Sequence, residues 1–260
     1  MMELYHNDLS ICAQKVRLAL AEKGLAFESR HLDLKIGESH SPDYLKLNPK
    51  GVVPTLVDRG RPIGESTIIN EYLDEAYPEH PLRPADLLER TDMRRWVMLT
   101  DTGLSGACGL VSFAIAFRHE YTMAPTWKAP EKRAARAVLI EKGLEHPGAP
   151  QAVLAYDQFL SDLARQLDQS PWIAGRSFSL AEAALIPYVR RLEDMALAWM
   201  WEEAKDRASI TRWYAACKAR PGFRGISDWA PQALHALMKE KGLEARPRME
   251  ELLRAARAPS

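Results

Sequence analysis

Along the first 80 residues the apolar positions switch between a period of two and a period near 3.6. Residues 2–6 form a short alternating run that predicts a strand. Residues 12–23 set Val16, Ala19, Leu20 and Lys23 along one helical face, and Gly24 follows as a C-terminal stop. Residues 27–34 alternate imperfectly and predict a second strand. Strand, helix and strand in so short a span make a βαβ unit, so these two strands are expected to be parallel. A short helix over 41–47 is ended by Asn48-Pro49. A third strand, 53–57, opens on Val53-Pro54, and Asp58-Arg59-Gly60 turns it into a fourth strand at 61–64. Ser66 then opens a helix with Ile68, Ile69, Tyr72, Leu73 and Ala76 on its inner face.

The order β-α-β-α-β-β-α is the layout of a thioredoxin-like domain. A proline at the head of the third strand has no N–H to donate, so it belongs where the ladder is interrupted. A cis Val53-Pro54 bond would leave the neighbouring backbone N–H and C=O to an extended ligand; the sequence leaves cis and trans both open. After three prolines between Tyr77 and Pro84 the pattern becomes helical. The expected division is therefore a thioredoxin-like domain over 1–80 and an α-helical domain over 87–260. Helices are expected over 87–118, 151–169, 180–203 and 208–219. Ser179 and Glu182 form a capping box. The tail predicts two amphipathic stretches separated by Ala245-Arg246-Pro247. Segment 119–150 is too long for a tight turn and reads as a lid or an exposed insertion.

Composition narrows the function classes. The chain has 260 residues, 47% apolar and 27% charged, enough to bury a core without a disulfide or a metal. Lys plus Arg equals Asp plus Glu at 35 each, which argues against a nucleic-acid partner. No apolar run is read as approaching the ~18 residues of a membrane span. The N-terminus lacks a basic-then-apolar leader pattern, so a cytoplasmic protein is expected. Cys12, Cys108 and Cys217 lack the spacing of a disulfide framework or of a metal site.

Three segments carry a resemblance. Leu4-Tyr5 with Ser10-Ile11-Cys12-Ala13-Gln14-Lys15-Val16-Arg17 is similar to the first strand-to-helix turn of zeta- and theta-like glutathione transferases. Leu47-Asn48-Pro49-Lys50-Gly51-Val52-Val53-Pro54 resembles that family's cis-proline loop, and Glu65-Ser66 its γ-glutamyl-binding pair. His40, Asn48 to Gly51, Glu65 to Thr67 and Leu82 to Asp86 look more narrowly like bacterial glutathione-dependent β-etherases, whereas the loop from Ser10 to Lys15 is more zeta-like. The resemblance implies glutathione as cosubstrate, a small apolar or aromatic electrophile as second substrate, and a homodimer. It implies that thiolate attack forms a thioether and releases a leaving group, an aryl ether being one candidate. A zeta-like isomerase that recycles glutathione and a non-catalytic module of the same fold are the alternatives.

Each residue so implied also has a plainer reading. Ser10 is a helix N-cap, or the hydroxyl that donates to the glutathione sulfur. Lowering a thiol pKa of about 8.5 by two units asks for ~2.7 kcal/mol, within reach of a hydroxyl plus a helix N-terminus. Cys12, placed about one turn into the helix, is a small buried residue or a reactive thiol; Lys15 stands where a partner cysteine would be. Glu65 and Ser66 are a helix start, or hold the γ-glutamyl amine and carboxylate. Val53, before Pro54, would offer its backbone to the cysteinyl unit. His40 and Lys50 are surface residues, or meet the glycine carboxylate; Val52 stands where many relatives carry glutamine. Phe113 and Phe117, with Trp96, Met98, Trp199, Met200 and Trp201, are core or line the electrophile pocket.

Overall fold

The computed structural model describes residues 1–120, 130–229 and 231–257. Its N-terminal layer runs β1 (Glu3–His6), α1 (Ile11–Glu22), β2 (Glu28–His31), α2 (Pro42–Leu47), β3 (Thr55–Asp58), β4 (Arg61–Ile63) and α3 (Ser66–Ala76). The sheet order is β2-β1-β3-β4. β1 and β2 are parallel, with Glu3 opposite Glu28; β1 pairs antiparallel with β3, and β3 with β4. This is the thioredoxin-like arrangement expected, with the second strand shorter than its alternation suggested. Leu4, Val16, Leu20, Leu56, Ile69 and Leu73 make the core under the sheet. Ile68 lies outside it: expected on the inner face of α3, it is exposed.

Helix α1 explains how the two parts join. Every residue from Ala13 to Leu20 is buried. Val16 and Leu20 face the sheet, while Leu18 and Ala19 pack into the larger helical core. A helix covered on all sides must satisfy its polar residues internally. Arg17 does so by donating to three backbone carbonyls, Asn7, Asp8 and Gly225, and by meeting His6 Nδ1 at 3.0 Å.

The helical part comprises α4 (Leu87–Leu99), α5 (Ser105–Ile115), α6 (Pro130–Lys142), α7 (Ala149–Leu167), α8 (Leu180–Asp194), α9 (Trp199–Glu202), α10 (Ala208–Lys218), α11 (Arg224–Ser227) and α12 (Gln232–Arg257). The helix expected over 87–118 is interrupted by a π-turn at Thr100–Leu104. By length and composition Leu87–Ile115 could cross a membrane, which corrects the reading that no run approaches that length. Met93, Trp96, Val97, Val111 and Ile115 are instead buried in the protein's own core. The helix expected over 180–203 breaks after Asp194, where Ala196 takes a φ of 53°. The capping box forms as expected: Ser179 N donates to Glu182 Oε2 at 2.8 Å, and Ser179 Oγ accepts from Ala181 N.

The tail is one helix, not two. Gly242 sits where α12 crosses the end of α8; a Cβ there would stand 1.5 Å from the Met195 carbonyl oxygen. Pro247 lies inside α12, yet Met238 before it and Met249, Leu252 and Leu253 after it enter the same core. Arg246 and Arg248 beside it make paired bonds to Glu203 and Glu145. Packing on both sides of the proline outweighs its lost backbone bond.

Candidate active site

The turn after β1 is held from several directions. Asn7 Oδ1 accepts from Leu9 N at 3.1 Å, and Asn7 Nδ2 donates to Leu32 O at 3.0 Å. Arg17 holds the carbonyls of Asn7 and Asp8, and Arg191 of α8 holds that of Leu9 at 2.5 Å. Ser10 follows as the N-cap of α1, its Oγ accepting from Ala13 N at 3.3 Å. A hydroxyl that accepts through a lone pair keeps its hydrogen for another partner. The capping and donating readings of Ser10 are therefore compatible.

Cys12 is the second residue of α1 and lines the same cavity as Ser10. The expectation that it lies about one turn into the helix is corrected: the helix begins at Ile11, so Cys12 sits within its first turn, nearer to Ser10. Burial pushes the Cys12 thiol up, against the Lys15 charge and a side-chain hydrogen bond with Ser66. Lys15 is fully buried beneath it. Its Nζ donates to Thr67 Oγ1 at 3.2 Å and Thr100 Oγ1 at 3.0 Å and lies 3.7 Å from Asp101. Desolvation depresses the Lys15 ammonium; the nearby Cys12, Asp101 and Glu65 support it.

The loop carrying Val53-Pro54 is braced from below. Tyr44 Oη donates to Val52 O at 2.6 Å, and Asn48 Nδ2 donates to the same carbonyl at 2.9 Å and to Thr55 Oγ1 at 3.1 Å. The Val53-Pro54 bond is cis. Ladder pairing of β3 begins at Thr55, so Val53 stands outside it and lines the cavity. Gly51, at φ 63°, passes the His40 ring so closely that a Cβ would lie 3.0 Å from Nε2. His40 Nδ1 in turn meets Ser39 Oγ at 3.1 Å.

The cavity measures about 760 Å³. Of the residues singled out from sequence, Ser10, Cys12, His40, Lys50, Val53, Phe113 and Phe117 line it. Pro54, Glu65 and Ser66 do not. Glu65 holds a φ of 64° and pairs with Lys50 Nζ at 2.6 Å, both side chains exposed. Ser66 is buried at the first turn of α3, bonded to Cys12. Phe113 and Phe117 stack edge to face at 5.3 Å on the helical wall. Gly106 and Gly109 of α5 leave open space there.

Several cavity residues escaped the sequence reading. Tyr188 and Arg191 come from α8, where the sequence singles out only the capping box at its start, and burial pushes the Tyr188 hydroxyl well up. Leu139 and Arg136 come from α6, and His146 from just after it, all inside the segment read as lid or insertion. Residues 121–129 of that segment lie outside the described residues. Among the described residues, no three His, Cys, Asp or Glu side chains converge as metal ligands.

Comparison with known proteins agrees with this architecture. Residues 9–76 match the glutathione S-transferase N-terminal domain, and residues 140–216 the glutathione S-transferase C-terminal domain. Glutathione S-transferase 1 of Dianthus caryophyllus is 51% identical over 89 residues, 34% of this chain and 40% of that protein. Tetrachloro-p-hydroquinone reductive dehalogenase of Sphingobium chlorophenolicum is 29% identical over 251 residues, covering 88% of this chain and 97% of that protein. A stringent starvation protein A homolog of Pasteurella multocida is 30% identical across 75% of this chain and 77% of its own length. Among solved structures, β-etherase LigF from Sphingobium sp. strain SYK-6 superposes with a TM-score of 0.78 at 23% identity, over 88% of this chain and 99% of that one. The fold and both domain matches make this chain a member of the glutathione S-transferase family, whose homologues use glutathione as cosubstrate.

Proposed function

We propose that this protein is a glutathione transferase in which Ser10 activates the glutathione thiol and an apolar or aromatic electrophile enters from the helical side. The observation that carries this is one cavity shared by Ser10, the free edge at Val53 and the Phe113–Phe117 wall. Lys50 and His40 on the cavity wall, and Glu65 paired with Lys50, suit the charged ends of the tripeptide, and Ser66 at the first turn of α3 is assigned to its γ-glutamyl end. The thiolate attacks the electrophilic carbon, a C–S bond forms, and the leaving group departs with its electron pair. An aryloxide leaving group makes the reaction a β-ether cleavage; the 35% identity over 119 residues to protein LigF supports that choice. The working unit is a homodimer, and the exposed Ile68, Leu87, Leu88 and Met98 give it apolar surface to bury. Sedimentation at micromolar concentration showing only a 29.3 kDa species would count against the dimer.

A second reading is favoured by the position of Cys12 on the cavity wall. There the Cys12 thiolate would attack the sulfur of a glutathione thioether of the substrate. The S–S bond forms as the C–S bond breaks, and the carbon keeps that electron pair and takes a proton. The substrate is thus the oxidant for the Cys12–glutathione mixed disulfide, a chemistry in keeping with the similarity to a reductive dehalogenase. One screen separates the readings: glutathione-dependent turnover of aryl ethers, chloronitrobenzenes and maleyl compounds, with glutathione counted. One glutathione consumed per product supports the transferase. Turnover with glutathione recovered means an isomerase, glutathione disulfide means thiol exchange, and no turnover with any substrate means a non-catalytic module.

A further inference from the structure

One cation on the helical wall of the cavity, Arg191, is buried among neutral groups. Arg191 is 2% exposed. Its Nη1 donates to Ser112 Oγ at 3.1 Å, its Nη2 donates to the Leu9 carbonyl, and its guanidinium lies 4.9 Å from the Phe117 ring centre. All three partners are neutral. Its Nε is buried and meets no acceptor, and among the described residues no Asp or Glu pairs with it. Other buried cations here are treated differently: Lys23 meets Asp74 at 3.1 Å, and Arg207 meets Asp157 at 2.6 Å. Taking a cation out of water is costly unless an anion meets it.

Two more donors line the same cavity. Arg136 lies 3.5 Å from the Phe113 ring centre. His146 Nδ1 accepts from Gly148 N at 3.0 Å, which places the proton of the neutral ring on Nε2 as a donor. Both line the cavity, and among the described residues no Asp or Glu does. We propose that the electrophile is an anionic aromatic compound: its ring packs against Phe113 and Phe117, and a carboxylate on that ring is received by Arg191. This rests on the transferase reading above and adds the charge of its second substrate.

The test uses a matched pair, 4-chloro-3-nitrobenzoate and 4-chloro-3-nitrobenzamide, with glutathione. In each, the thiolate forms a C–S bond and chloride leaves with the C–Cl electron pair. Each kcat/KM is divided by the uncatalysed rate constant, which removes the difference in intrinsic reactivity. The wild type is expected to favour the benzoate by about tenfold or more, and Arg191→Met to bring that ratio near one. Arg191→Lys should restore part of it. Should Arg191→Met fail to fold, calorimetry on the wild type with the two S-aryl-glutathione products gives the same answer. The carboxylate product should bind about tenfold tighter, the advantage shrinking as salt rises. Equal normalised rates, or equal product affinities, reject the anion while leaving the transferase standing. A loss of both substrates in equal proportion in Arg191→Met would make Arg191 a positioning residue for the Leu9 turn and would also reject it. Failure to bind glutathione at all would reject the transferase reading and this proposal together.

Discussion

Replacing Ser10 with alanine removes two things that the geometry keeps separate. The first is the cap on α1. At 3.3 Å the bond from Ala13 N is long, so its loss should cost about 1 kcal/mol or less. That corresponds to a fall in melting temperature of roughly 2–4 °C for a protein of this size. The second is the hydrogen of the hydroxyl, which the cap does not use and which is proposed to meet the glutathione sulfur. A hydrogen bond to a charged group is worth roughly 1.5–3 kcal/mol, or about one to two units in the pKa of the bound thiol. With a bound pKa near 6.5, the thiolate fraction at pH 7 should drop between about three- and twenty-five-fold. Glutathione affinity should change little, and most activity should return at alkaline pH. Ultraviolet thiolate absorbance, titrated on the glutathione complex, reads the pKa directly. The matching variant is Cys12→Ala. Both side chains line one cavity, so their distance along the helix does not decide between them. An unchanged thiol pKa in Ser10→Ala, with activity abolished in Cys12→Ala, would refute the serine assignment.

Ser66→Ala should weaken glutathione binding about ten- to a hundredfold by calorimetry on folded protein; unchanged affinity would remove this residue from the γ-glutamyl site. Asp74→Asn should destabilise by roughly 3–5 kcal/mol in denaturant unfolding, because the buried carboxylate meets Lys23, Arg83 and the Leu82 N–H together. A loss below about 1 kcal/mol would mean that the linker is not anchored there. His6 is pushed down to about 3 by burial and by the charges of Arg17 and His31. Its stabilisation is therefore complete above the unfolded value of about 6.5 and is lost as pH falls from there toward 3, a few kcal/mol at most. His6→Gln should flatten that acid limb in melting temperature against pH, and an unaltered slope would assign it to other groups.

The N-terminal layer was legible because its signals are local. A βαβ span, a strand headed by Pro54 and a turn at Asp58-Arg59-Gly60 each fix an element within ten or so residues, and β1 to α3 follow that order. Ile68 failed for a related reason. A helix of eleven residues shows an apolar stripe wide enough to include a position that the core does not reach. The breaks at Thr100 and Ala196 and the continuity through Pro247 escaped because packing partners far along the chain decide them. Met195 meets Gly242, and Glu203 and Glu145 meet Arg246 and Arg248.

The candidate site divides along the same line. Ser10, Val53 and Glu65 stand at turns and helix starts, where a single sequence carries geometric information. Arg17 and Arg191 stand inside helices, where an arginine ordinarily reads as a solvated face. Part of what places them is the turn from Asn7 to Leu9, which presents its carbonyls inward. A backbone carbonyl in a buried turn needs a donor, and a guanidinium can serve two at once. Arg17 takes Asn7 and Asp8 from within the N-terminal layer. Arg191 takes Leu9 across a separation of 182 residues. The helical domain thus fixes the backbone immediately before Ser10. A shift of α8 would move the serine and the cation together, so the nucleophile's turn and the electrophile's wall share one mechanical link.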